Sequence, residues 1–176
     1  MVSLVLAELR AATSGEHTAL EDVVAIERRI ATPGGYESLL PPFFGFYQPL
    51  EAILAHHPWT EELNFESRKK SAWLAEDLQE AGHDFSKVRL CEDLPSVGGM
   101  GHAWGCLYVL EGSTLGGQHI SRMLDQRGVK VDTSHFFRSY GTEVSSKWKS
   151  FLGLLDALPP KTTLTRKWSQ VRWTLL

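Results

Sequence analysis

The sequence predicts an all-α single domain, and three observations carry that expectation. The chain has 176 residues, the size of one ordinary domain. Apolar positions recur at three- and four-residue spacing in most segments, which marks helical faces. The glycines do not sit between β-branched runs, as they do in a turn-rich strand protein. Composition agrees. Hydrophobic residues make up 43% and charged residues 22%, which suits a globular chain and excludes a disordered tail, a collagen repeat or a disulfide scaffold.

Residues 3–30 form the first predicted helix, with Leu6, Leu9, Thr13, His17, Leu20, Val24 and Glu27 along one stripe. Thr32-Pro33-Gly34-Gly35 ends it. A second helix is expected from Tyr36 to about His56, where Pro41, Pro42 and Pro49 impose a kink or a broken start. His57-Pro58-Trp59 stops it. The third spans 64–81, with Gly82 as its C′ residue. Residues 83–95 read as a loop. Residues 96–127 form a long helical segment closed by Gly128, with glycine at 98, 99, 101, 105, 112, 116 and 117. Residues 135–140 read as a short turn or helix, and 142–157 as a helix stopped by Pro159-Pro160. A terminal helix over 163–176 would place Leu164, Trp168, Val171 and Leu175 on one face. No repeat or low-complexity linker divides 1–176.

The net charge of −3 argues against nucleic acid as a partner. It is uneven: residues 1–127 carry −8 and residues 128–176 carry +5. The basic part is either a solvated face or a face for an anionic ligand or acidic partner. No apolar run approaches the roughly 20 residues of a membrane span, and the N-terminus lacks the pattern of a signal peptide. Cys91 and Cys106 form no CxxC pair. The expectation is therefore a cytoplasmic protein with free thiols.

Two features carry chemistry. His17 lies on the stripe of the first helix, and Glu21 follows one turn later, within reach of an imidazole N–H. A single histidine with such an acceptor suits an axial position on a cofactor that brings its other ligands, as haem does. The plainer reading is a core histidine satisfied by Glu21. The second feature is YVLEGSTLGGQ, residues 108–118. Each glycine inside a helix costs about 1 kcal/mol relative to alanine. Gly112 and Gly116 are one turn apart, and a face without Cβ atoms lets a backbone lie against something flat. Close helix–helix packing is the plainer alternative here. The GxGxxG, GxSxG and HExxH patterns are absent.

Residues 9–21, LRAATSGEHTALE, resemble the proximal helix of haem oxygenases, and YVLEGSTLGGQ resembles their distal helix in the bacterial, biliverdin-producing branch. The resemblance covers residues 4–158. It implies a multi-helix bundle in which His17 ligates the iron and Glu21 bonds its other nitrogen. Gly112, Ser113 and Gly116 would form the distal, catalytic surface, with Gly117 and Tyr108 beside it. Arg10 and Thr13 would lie near the haem, Arg10 toward the propionates, with Arg138, Lys147 and Lys149 as further basic candidates. The implied reaction opens haem, both cofactor and substrate, with O₂ and external electrons to biliverdin, CO and Fe²⁺. A ferredoxin or flavin reductase would supply the electrons, and a phytochrome would be one acceptor of the biliverdin. Two departures stand out. Ser113 occupies the place of an aspartate in animal haem oxygenases. Residues 161–176, with Lys161, Arg166, Lys167, Arg172 and no acid, do not look like the family's last helix. The alternatives are a non-catalytic haem carrier or gas sensor on the same fold, a thiaminase-like enzyme using Cys91 or Cys106, and a ligand-free bundle.

Overall fold

The computed structural model describes residues 14–15, 24–128 and 134–158. Its architecture is an all-α single-domain bundle. In chain order the helices are α1 (Ile26–Arg29), α2 (Leu40–Leu54), α3 (Ser71–Glu80), α4 (Met100–Gln126), α5 (His135–Arg138) and α6 (Val144–Asp156). Short 3-10 turns precede α2, α3 and α6. α2 packs on α3, α3 on α5, and α4 on both α5 and α6. Most of the predicted helix over 3–30, and the whole of that over 163–176, lie outside the described residues.

Within the described part of the first helix, the continuous element expected from the sequence is interrupted at Ala25, which is left-handed at φ 44°. Val24 and Ile30 are both buried. Six residues apart, they would point about 120° away from each other on an unbroken helix. The turn at Ala25 brings both into the core.

The prolines of α2 are placed where they cost little. Pro41 and Pro42 fall in the first turn, where N–H groups have no helical acceptor. Pro49 is interior and has no N–H to give to the carbonyl of Gly45, four residues back. That carbonyl accepts the Cys91 N–H instead, at 2.8 Å. The loop sits so close that a Cβ on Gly45 would stand 2.5 Å from the Arg89 carbonyl oxygen. Pro49 and Gly45 together dock the 83–93 loop on α2.

The helix expected over 64–81 is two elements. A 3-10 turn covers Phe65–Arg68, Lys69 is extended, and α3 begins at Ser71. The cause is polar. The Glu51 carboxylate of α2 accepts the N–H of Lys70 at 2.7 Å and of Ser71 at 3.1 Å, capping α3 from outside its own sequence. The far end matches expectation. Gly82 has φ +78°, and His83 N–H and Gly82 N–H donate to Leu78 and Gln79 carbonyls, a Schellman arrangement.

α5 is held by another buried acid. Asp77 of α3 accepts from the N–H groups of His135 (2.7 Å) and Phe136 (3.0 Å) and from the Tyr36 hydroxyl (2.8 Å). These bonds fix where α5 meets α4.

Gly45→Ala places a methyl group against the Arg89 backbone, which cannot swing aside as a side chain would. The expected loss is about 1–3 kcal/mol, read by denaturant unfolding. An unchanged midpoint would show that the loop is not docked there.

Candidate functional site

α4 runs for 27 residues and changes character halfway. From Ala103 to Glu111 all positions but Val109 are buried. Beyond that point one side opens. Gly112, Leu115, Gly116 and His119 follow at helical spacing on a single face. Leu115 is 40% exposed, and Gly116 and His119 are exposed as well.

The glycines serve two purposes. A Cβ on Gly116 would meet nothing within 4 Å, and one on Gly112 would meet only the Trp148 ring, at 3.8 Å. Among the described residues, no contact with a neighbouring helix asks for glycine at either position. Gly117, expected beside them, turns toward the bundle. A Cβ there would stand 2.8 Å from the Phe137 carbonyl oxygen of α5, so Gly117 serves close helix packing. The result is a bare, open strip of backbone one turn long, bordered by Trp148 of α6. Tyr108 packs its ring on Trp148 at 5.6 Å and stands at the buried end of the strip.

Ser113 sits beside the strip. Its hydroxyl donates to the Leu110 carbonyl at 2.8 Å. That proton being committed, the Tyr47 hydroxyl is the donor in the 2.9 Å bond between Tyr47 Oη and Ser113 Oγ. Burial pushes the Tyr47 phenol above its usual range, so it remains a donor. Thr114 likewise donates to the Glu111 carbonyl, at 2.7 Å. Two such back-bonds, next to three glycines, are features that favour bending of a helix.

Just before the strip lies a buried ionic cluster. Glu111 accepts from Arg68 Nη1 at 2.5 Å, Lys70 Nζ at 2.7 Å and the Tyr140 hydroxyl at 2.7 Å. Lys70 Nζ also donates to the Arg68 carbonyl (2.8 Å) and to Tyr140 Oη (3.3 Å), which uses all three of its protons. Arg68 bonds the carbonyls of Leu63 and Lys147. Arg68, Lys70, Glu111 and Glu51 are all nearly sealed from water, and their formal charges cancel. Burial pulls the Lys70 ammonium below its usual range, and Glu111 opposes that pull. Burial, and then Glu111, raise the Tyr140 phenol.

Four of the residues singled out in the sequence, Arg10, Thr13, His17 and Glu21, lie outside the described residues. The basic candidates differ in engagement. Arg138 pairs with Asp125 and bonds Ser134. Lys147 bonds Ser67 Oγ at 3.2 Å and lies over the Tyr140 ring. Lys149 is exposed. Cys106 is buried, which pushes its thiol up to about 12, so it is no nucleophile at neutral pH. Cys91 lines a separate cavity of about 890 Å³ between α2 and the 83–93 loop, to which no residue of the glycine strip contributes. Sequence reasoning missed Tyr47 and the Glu111 cluster. One signal existed for the latter: Glu111 is the only acid between Asp93 and Asp125. None of the described helices is long and apolar enough to cross a membrane.

A family model described as heme oxygenase matches residues 3–169. No curated protein and no solved structure matches the chain.

Two alanine substitutions separate the roles of neighbouring glycines. Gly116→Ala gains helix propensity in open space and should raise stability by up to about 1 kcal/mol. Gly117→Ala collides with the Phe137 carbonyl and should lower it by about 1–3 kcal/mol. Thermal unfolding of the ligand-free protein reads both, and a loss of stability in Gly116→Ala would contradict the open strip.

Proposed function

The chain belongs to the haem oxygenase family, and on that premise we propose that it opens haem to biliverdin with release of CO and ferrous iron, as the bacterial biliverdin-producing branch does. The observation that carries this reading is the open glycine strip of α4. A flat macrocycle needs a backbone without Cβ atoms beside it, and Gly112 and Gly116 supply that where no neighbour among the described residues requires it. Haem, once bound, supplies the redox chemistry that activates O₂.

The protein's own part is binding, orientation and proton supply. His17 would hold the iron, with Glu21 fixing the orientation of its ring. Arg10 and Thr13 would lie toward the haem from the same helix. Gly112 and Gly116 would let the α4 backbone lie against the macrocycle, and Tyr108 would close the buried end. Gly117 contributes indirectly, by keeping α4 tight on α5. Ser113 takes the place of the aspartate found in animal relatives. Its hydroxyl oxygen accepts from Tyr47 and its O–H donates to the Leu110 carbonyl, leaving one lone pair for a water that carries protons to the site. Water, rather than a carboxylate, then links the site to solvent. A ferredoxin or a flavin reductase would serve as electron donor, a phytochrome would be one acceptor of the biliverdin, and the location is the cytoplasm. The single domain extends over 1–176.

One observation favours a second reading, a non-catalytic haem carrier or gas sensor. The only proton of Ser113 is already committed to Leu110. Reductant and O₂ separate the two, since a carrier keeps its haem intact.

Reconstitution with haemin tests the assignment of the ligand. Wild-type protein should show a shifted Soret band. His17→Ala should show an altered one, together with at least about tenfold slower turnover, the loss of about 1.4 kcal/mol or more of transition-state stabilisation. Gly116→Ala should slow turnover while the fold gains stability. A His17→Ala spectrum and rate identical to wild type would overturn the assignment.

A further inference from the structure

The Glu111 cluster stands next to the glycine strip, yet none of its groups reaches the strip's open face. We propose that Glu111 is a positioning residue: held by Arg68, Lys70 and Tyr140, it sets the roll of α4 about its own axis, and through that roll it selects which edge of the macrocycle is attacked. The selection half of this rests on the haem oxygenase reading above. The anchoring half does not.

Apolar packing alone fixes the roll of α4 poorly. Upstream of the strip the helix is buried nearly all round, so no single stripe dictates which side faces inward. Hydrophobic contact is also non-directional. Charged hydrogen bonds are directional. A roll of about 20° would carry a carboxylate about 5–6 Å from the axis through roughly 2 Å. That would break bonds of 2.5–2.7 Å.

The anchor's partners are themselves tied to other elements. Lys70 is tied to α2 through its own N–H and Glu51, Arg68 to α6 through the Lys147 carbonyl, and Tyr140 lies between α5 and α6. The cluster thus references α4 to the rest of the bundle at residue 111. Gly112 is the next residue, and beyond it the helix is bendable. An anchor there fixes the direction in which the strip points while leaving the strip free to move against its ligand.

Removing Glu111 or Lys70 alone leaves the buried cluster with a net charge, so the informative change is the charge-balanced double substitution Glu111→Gln/Lys70→Met, which leaves the charge of Arg68 balanced by that of Glu51 and keeps Arg68 on its carbonyl partners, with Tyr140→Phe as a milder companion. Native-state amide exchange on the ligand-free protein provides the first readout. Exchange over residues 112–120 should rise about tenfold in the double variant and less in Tyr140→Phe, with 103–108 unchanged. The second readout is the isomer composition of the biliverdin formed. The minor-isomer share should rise several-fold, while haemin binding and its Soret band stay as in wild type. If exchange rises uniformly along α4, or does not change in a folded double variant, the anchor is disproved. If exchange responds as stated but the isomer pattern is unchanged, the selection half fails. Absence of ring opening in wild type overturns the haem oxygenase reading and the selection half with it, and the exchange readout then decides the anchor alone.

Discussion

A carboxylate that is only 1% exposed must be neutralised where it stands, and that requirement organises the bundle around Glu111. Its partners arrive from the segment before α3 and from the turn between α5 and α6. Arg68 extends the set to α6 and Lys70 to Glu51 of α2. Removing one partner from such a cluster costs about 3–5 kcal/mol, because the charge left behind stays buried. Glu51 and Asp77 repeat the device on a smaller scale, each receiving backbone N–H groups at the start of a helix. Three buried acids thus supply charged, directional contacts within a core that is largely aromatic and aliphatic.

The glycines show how one residue type answers two constraints within six positions. Gly117 is required by a neighbour, the Phe137 carbonyl, and Gly116 by none among the described residues. A glycine kept in a helix against its propensity stores a cost of about 1 kcal/mol, and at Gly116 no packing neighbour among the described residues offsets it. The flat ligand proposed above would. Gly45, pressed against the 83–93 loop beside a proline-freed carbonyl, belongs with Gly117 as a packing glycine.

The helical class, the end of α3 at Gly82, the close of α4 at Gly128 and the stretch of α6 were all legible in the sequence, because periodicity and positive-φ glycines are local signals. The breaks at Ala25 and at Lys69 were not. Both are imposed from a distance, one by the need to bury Val24 with Ile30, the other by Glu51 and Glu111. The glycine strip could be read from spacing, but which glycine faces outward depends on where α5 lies. The bond from Tyr47 to Ser113 joins residues 66 positions apart, and no local pattern announces it.

The proposed opening of a haem ring at the glycine face of α4 is tested most directly by one measurement. It combines haemin-loaded protein, a chemical or ferredoxin reductant, O₂ and catalase, and follows the Soret band together with CO and bilin. Bleaching of the Soret band with equimolar CO and biliverdin is the predicted result. A Soret band that persists through repeated reduction in air, with no CO released, would contradict it.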